Sequence, residues 1–441
     1  MSVDLFGVGA LGVVSLEWLA LGWLSGLRFP RGGRGAEAPS WAMRVLVGAS
    51  LLAMAQLVLA LAGFGFSWIP APLLVATLGA VALRIMRGPA RVECDTKLVR
   101  VEQRERLGWA LLGLVLIAAL VRSVVVPEAG WDAYSHWGLR AQAFASAGTL
   151  LNAHSEHEYY PPLVPLLEAW LYVHRGLVSI DTAKTVWAVI GGAFAVCLAW
   201  HLRLSLRSAW MAPFLATGIV LVTTALLEGF WTGQADLALT ALLTLATLAA
   251  WQWQRAPERG WLLQVAVFGA AAALTKFEGL PRIGVVGVVF LLEGAVAQRA
   301  RYWIPALTLV VPAVVVSLLW VGVEMTRAIA PNGEHVGAFQ PLAIGGVLLA
   351  LIGVFGGVRT GGGLFVTALS WAACGRALFE PMLRVLTLVV IAQALATLVA
   401  FLVSATSPVI EVNTSATRLV EQWLPLALFV AAIGLSRTGH L

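Results

Sequence analysis

Charge is scarce in this chain. Asp, Glu, Lys and Arg make up 12% of its 441 residues, lysine occurs only at Lys97, Lys184 and Lys276, and cysteine only at Cys94, Cys197 and Cys374. So few charges beside 60% hydrophobic residues exclude a water-soluble globule, and the mean hydropathy of +0.87 agrees. The three cysteines have no metal-type spacing and read as inert. Period-two alternation is absent, which argues against a membrane β-barrel. There is no internal repeat, no Gly-rich phosphate loop and no heptad array. No basic stripe is interleaved with aromatics, so the net charge of +6 is not a nucleic-acid footprint.

What is present is a succession of long apolar runs. A hydrocarbon core needs about 20 apolar residues per helix and leaves backbone groups to satisfy themselves, so the fold class is an all-α polytopic transmembrane bundle. Runs near 4–26, 45–66, 69–87, 107–126, 183–202, 209–227, 234–253, 261–275, 281–297, 303–324, 341–357, 385–404 and 419–436 predict about 13 spans. The run 162–178 opens on two prolines and carries Glu168, His174 and Arg175, which predicts a helix in or dipping into the interface. Residues 363–374 are too short to be counted as a crossing.

Arginine sets the expected orientation. Arg28, Arg31, Arg34 and Arg44, then Arg87, Arg91, Lys97, Arg100, Arg104 and Arg106, collect in loops that should be cytoplasmic, as should the pairs Arg203 with Arg207, Arg255 with Arg259, and Arg299 with Arg301. The alternation holds with the amino terminus outside. The first segment carries Asp4 and no basic flank, so it does not read as a cleaved signal peptide. Arginine in place of lysine, with the Ala, Gly and Trp load, suggests a GC-rich bacterial gene and a bacterial cytoplasmic membrane.

The longest polar interruption after the first four runs is Pro127 to Pro162, and it falls on the extracytoplasmic side. It contains GWDAYSHW (130–137) and EHEYYPPL (156–163), and packs Asp132, His136, Arg140, His154, Glu156, His157 and Glu158 into one loop. Ionisable residues between spans are where chemistry is sought first. If 131–147 is helical, Asp132, His136 and Arg140 share one face at i, i+4 and i+8, while Ala133, Trp137, Ala141 and Phe144 form an apolar stripe. That predicts an amphipathic helix on the membrane surface with its acidic start facing water or a cavity. A plain helix cap is the alternative reading of Asp132.

The order GWDAYSHWGLRAQ, HEYYPPLVPLLEAW, TGQADLALT, ALTKFEGLPR and NTSATRLVEQWLPL resembles the GT-C superfamily of integral-membrane glycosyltransferases, particularly bacterial members that use polyprenyl-phosphate sugars. The resemblance covers roughly residues 107–436, leaving 1–106 as an additional three-span region. It implies inverting transfer from a lipid-phosphate sugar to a glycan, lipid or protein acceptor on the outer face, with the aspartate of the first large external loop, here Asp132, as general base. Where many relatives have lysine after the tryptophan, this chain has Arg140, which keeps the charge and alters the grip on a phosphate. The resemblance also implies a possible divalent metal near the donor phosphate.

Under this reading Lys276, Arg418 and Arg140 are donor-phosphate candidates, against interfacial anchors for the first two and a solvated helix face for the third. Asp236 and the weaker candidates Glu228 and Glu278 would hold acceptor or substrate, although Asp236 could equally cap the span that follows it. His136, Trp131, Trp137 and Tyr160 would line the substrate site, the tryptophans by stacking on a sugar ring. Tyr159 to Pro162 reads first as the start of an interfacial helix. His154, His157 and Glu158 have helix-compatible metal spacing, without a strong zinc signature, and Glu334 and His335 could complete such a site.

Overall fold

The computed structural model describes residues 5–25, 40–65, 79, 103–127, 130–155, 157–175, 180–298, 300–329, 340–355, 358–404 and 407–439, and among these it contains helices and no strand. In order they are α1 (Leu5–Leu24), α2 (Ser40–Leu61), α3 (Gln103–Val125), a π-helical segment (Ala133–Gly138), α4 (Leu139–Ala147), α5 (Leu163–Arg175) and α6 (Ile180–Ser205). Then follow α7 (Ala212–Val222), α8 (Thr224–Thr232), α9 (Ala235–Arg255), α10 (Arg259–Ala273), α11 (Gly279–Val296) and α12 (Trp303–Thr326). The last are α13 (Ile344–Phe355), α14 (Val358–Cys374), α15 (Arg384–Leu402), α16 (Pro408–Glu421) and α17 (Leu424–Thr438).

Among the described residues, eight helices are long and apolar enough to cross a membrane, or ten if each of two bent pairs counts as one span. The bent pairs are Ala209–Val222 with Leu226–Thr232, at 74°, and Pro408–Glu421 with Leu424–Thr438, at 46°. Thus the expected runs 209–227 and 419–436 fall on broken helices. The expected spans near 4–26, 261–275 and 341–357 correspond to shorter apolar helices, whereas Gly362–Phe379, expected to be too short, reaches 18 residues because a 3-10 turn extends α14. The expected span 69–87, apart from Gly79, lies outside the described residues, as do Cys94, Glu156, Glu334 and His335.

Burial sorts the helices into centre and rim. In α6 and α9, 94% and 100% of the most apolar window is buried, against 22% in α3 and 33% in α12, so the first two form the middle of the bundle and the latter its edge. On α3 the exposed Leu107, Leu111, Leu114 and Ile117 recur every three or four residues, and on α12 so do Leu307, Val311, Val314 and Leu318. Such stripes are where an apolar solvent meets the helix.

Within the run 162–178, α5 is covered by other helices of the chain. Leu163 to Tyr172 of α5 are all buried, with α1, α2 and α4 packed over it. Its polar groups are matched inside: His174 Nε2 lies 2.8 Å from Glu17 Oε1, the Trp170 indole donates to Glu17 Oε2 at 2.8 Å, and the Trp187 indole donates to Glu168 at 2.7 Å. The amino-terminal helices, by covering α5, turn an amphipathic surface helix into a core one.

The polar contacts divide between the two ends of the bundle. At one end Arg203 pairs with Glu105 at 3.0 Å, Arg384 with Glu293, and Arg437 with Glu380 at 2.6 Å. At the other end the chain leaves α3, enters α6, α9 and α11, and gathers the residues described next.

Candidate functional site

Asp132 stands at the start of the helical segment that runs into α4. Its backbone is already helical (φ −62°, ψ −42°) and its side chain makes no capping hydrogen bond, so the cap reading does not hold. The carboxylate is instead bound by Arg418 on α16, a residue 286 positions away in the chain. About a third of each side chain is open, 35% for Asp132 and 31% for Arg418.

Behind this pair lies a buried one. Lys276 Nζ donates to Asp236 Oδ1 at 3.1 Å and stands 3.7 Å from Glu278, and the Gln422 amide donates to the same Asp236 oxygen at 2.7 Å. Asp236 is not a cap either, since Gln234 holds that position and the carboxylate turns inward. Local backbone supplies the aim. Gly233 at φ 63° ends α8 in a left-handed turn, which only glycine adopts at no steric cost, and restarts the chain as α9 one turn before Asp236. A Cβ at Gly279 would collide with the Ala272 carbonyl, so the absence of a side chain lets the tight turn carrying Lys276 and Glu278 close.

The carboxylates hold Lys276 in its charged form. Burial alone would favour the neutral Lys276 amine, but the adjacent Asp236 and Glu278 carboxylates outweigh it and raise its affinity for the proton. One step further in, Arg282 on α11 donates to Gln393 at 3.0 Å, Thr397 at 3.3 Å and the Leu419 carbonyl at 3.0 Å, fixing α16 and α15 beside the site.

An aromatic wall adjoins the charges. His136 and His157 stack at 3.7 Å, Tyr159 stacks on Phe277 at 5.7 Å, and Tyr160 meets His136, Trp137 and Phe277 at 5.0–5.5 Å. Burial, then the neighbouring His157, pulls His136 down to about 4, so it is neutral at pH 7. Burial and the nearby Glu278 push the Tyr160 phenol up. Trp131 is 74% exposed, whereas Trp137 is buried against Tyr160, so of the two expected stacking tryptophans only Trp131 presents a face.

Arg140 is the main correction. It is fully buried, and its guanidinium donates to the carbonyls of Tyr160 at 2.8 Å and Glu158 at 3.4 Å, between the rings of Phe144 and Trp320. Burial, then Arg327, draws it down to about 9, which leaves it cationic at neutral pH. The expected solvated face fails because the guanidinium turns inward to the Tyr160 and Glu158 carbonyls and is covered by the rings of Phe144 and Trp320. Arg140 therefore pins the Tyr159–Pro162 element in place.

The three candidate metal ligands do not share a focus. His154 is 80% exposed and 3.5 Å from Glu158, Glu158 pairs with Arg327 at 2.9 Å, and His157 Nδ1 lies 3.0 Å from the Tyr159 hydroxyl. Among the described residues no group of three or more His, Cys, Asp or Glu is placed to hold a metal. Glu228 hydrogen-bonds through its carbonyl to Thr232 within α8.

Asp132, Asp236, Lys276, Glu278 and Arg418, drawn from four separated stretches of sequence, thus meet at one end of the bundle. Gln422 and Arg282 belong with them and were not anticipated, nor was Arg327, which pairs with Glu158. Gln422 and Arg282 each carried a signal, a polar side chain inside an apolar run. Compared with protein-family models, curated proteins and solved structures, the chain matches none of them.

Proposed function

We propose that the protein is a membrane glycosyltransferase of GT-C type that moves a sugar from a polyprenyl-phosphate donor to an acceptor hydroxyl, with Asp132 as general base. The observation that carries the reading is the meeting of a partly open carboxylate, Asp132, with Arg418 and the buried Lys276 pair. Transfer demands both signs of charge within one site: a base for the acceptor proton and cations for the phosphate that departs.

The acceptor oxygen attacks the anomeric carbon as Asp132 takes its proton, while the bond from that carbon to the phosphate oxygen breaks and its electron pair leaves with the lipid phosphate. Arg418 faces that phosphate, and a donor competing for its guanidinium releases the Asp132 carboxylate towards the acceptor. Asp236, itself held by the Gln422 amide, orients Lys276. Trp131 offers the sugar an exposed ring. This reading puts the site on the extracytoplasmic face, which the arginine distribution supports.

A second reading is favoured by the two bent helix pairs, since helices broken beside a charged centre also suit a secondary transporter. One assay separates them: membranes are supplied with a panel of polyprenyl-phosphate sugars and sugar transfer is measured for the wild type and Asp132→Asn. The glycosyltransferase reading expects turnover by the wild type that is lost in the variant. Equal turnover by both removes the base assignment, and no turnover with solute counterflow in proteoliposomes favours the transporter.

A further inference from the structure

Away from the Asp132 site, one carboxylate interrupts an apolar helix: Glu17 is the only ionisable side chain of α1. Such a residue is costly in apolar surroundings and calls for a partner. It finds one at the carboxyl end of α5. Glu17 Oε2 accepts the Trp170 indole N–H at 2.8 Å, Glu17 Oε1 lies 2.8 Å from His174 Nε2, and His174 Nδ1 lies 2.9 Å from the Trp170 carbonyl oxygen. The His174 side chain is 13% exposed and that of Glu17 28%.

This geometry fixes a proton count. A carbonyl oxygen only accepts, so Nδ1 must carry a hydrogen to hold Trp170, and in a neutral ring Nε2 is then a bare lone pair. That lone pair would face those of an ionised Glu17 at 2.8 Å. The other neutral tautomer satisfies Glu17 and moves the repulsion to the Trp170 carbonyl. Both contacts are made together only with one more proton. Imidazole is the stronger base by about 2 pK units, so the ring holds it and donates from both nitrogens. The helices packed against the contact carry Arg44 on α2, Arg140 on α4, and Asp181, Lys184, His201 and Arg203 on α6, with His136 on the π-helical segment and Glu168 on α5 itself. Arg140 is turned to the Tyr160 carbonyl, Lys184 to the Val126 carbonyl and Glu168 to the Trp187 indole, and the charge that acts on His174 is that of Glu17.

We propose that this proton is a latch, holding α1 to α5 while it is bound and loosening their contact when alkaline solution removes it. In the unfolded chain at neutral pH the carboxylate is ionised and the imidazole neutral, so folding takes up one proton here. The stability it gives is therefore full in mildly acid solution and is lost as pH rises. When the proton leaves to water, the contact passes from neutral to singly negative, and the lone pairs of Nε2 and Oε1 repel. The consequence reaches along α5, whose first backbone N–H, that of Leu163, donates to the Leu274 carbonyl at 2.9 Å, two residues before Lys276. The latch thus ties the amino-terminal helices to the helix that holds the Lys276 turn. It is independent of the glycosyltransferase reading.

The detergent-purified full chain is unfolded thermally at pH 6.5 and pH 9.5 as the wild type, E17Q and H154Q. Glutamine fits the contact without the extra proton, since its oxygen accepts from the Trp170 indole and its amide donates to Nε2 of a neutral ring. Between the two pH values the unfolding temperature of the wild type should therefore fall by roughly 3 °C more than that of E17Q, the effect of one hydrogen bond to a charged group. H154Q removes an exposed histidine outside the contact and should fall as the wild type does. Nitrogen-15 spectra of the histidine-labelled wild type should show, at pH 7.5, a ring protonated on both nitrogens that is lost in H174Q, a readout that stands even if E17Q fails to fold. Equal falls in the wild type and E17Q, or the absence of any doubly protonated ring at pH 7.5, overturn the proposal.

Discussion

The two ends of the bundle use the same residue types in opposite ways. At the Arg437 end, each ion pair joins one arginine to one acid, and that of Arg437 with Glu380 sits at the rim, 30% and 46% exposed, while Glu105 and Glu293 are buried. At the Asp132 end, charges are shared: Asp236 answers to both Lys276 and Gln422, Lys276 to two carboxylates, and the Lys276 and Asp236 side chains are 9% and 7% exposed. Rim pairs in high dielectric contribute little, whereas a buried network is costly unless every member is satisfied. The difference marks the Asp132 end as the one where charge is kept despite its cost, and so as the end to test first.

The largest expected effect is on activity. Asp132→Asn keeps the shape of the side chain and removes the base, so sugar transfer should fall by roughly a hundredfold to ten-thousandfold, read as initial rate in washed membranes, with little change in unfolding temperature. Next is stability. Lys276→Met strands Asp236 in the interior and should cost about 3 kcal/mol, a loss that the double variant with Asp236→Leu should largely restore. Failure of that rescue in thermal unfolding would show that the two residues do not act as a pair.

A smaller effect is pH-dependent. His136 is pulled from 6.5 to about 4 by burial and by His157, so the folded protein keeps it neutral where the unfolded chain protonates it. Stability from this group is therefore full above about 6.5 and is lost as pH falls towards about 4. His136→Gln should shrink the drop in unfolding temperature between pH 7 and pH 5, and an unchanged drop would assign it to other groups. Smallest is the rim: Arg437→Gln should shift stability by no more than ~1 kcal/mol, and a loss as large as that of Lys276→Met would erase the contrast between the ends.

The candidate site was partly legible. Asp132, Asp236, Lys276 and Arg418 stand out because a charge beside a long apolar run needs a reason to be there. Their partners were not legible, because helix periodicity fixes which face a residue occupies and says nothing of what lies opposite. Arg140 shows the limit on the face itself: a residue placed by 3.6-residue counting on the open side proves to be fully buried, its guanidinium taken up by the carbonyls of Tyr160 and Glu158. For α5, the opening prolines and the charges at Glu168, His174 and Arg175 pointed to an interface, and the cover supplied by α1 and α2 could not be read from the segment.

By itself the sequence determined the helical, membrane-spanning class and the positions where polar groups would have to be accommodated, because hydropathy and backbone hydrogen bonding are local and decide both. Only the tertiary structure decided that Arg418 meets Asp132, that Lys276 meets Asp236 and that His174 meets Glu17. Pairing of charges depends on which helices become neighbours, and that follows from packing over the whole bundle.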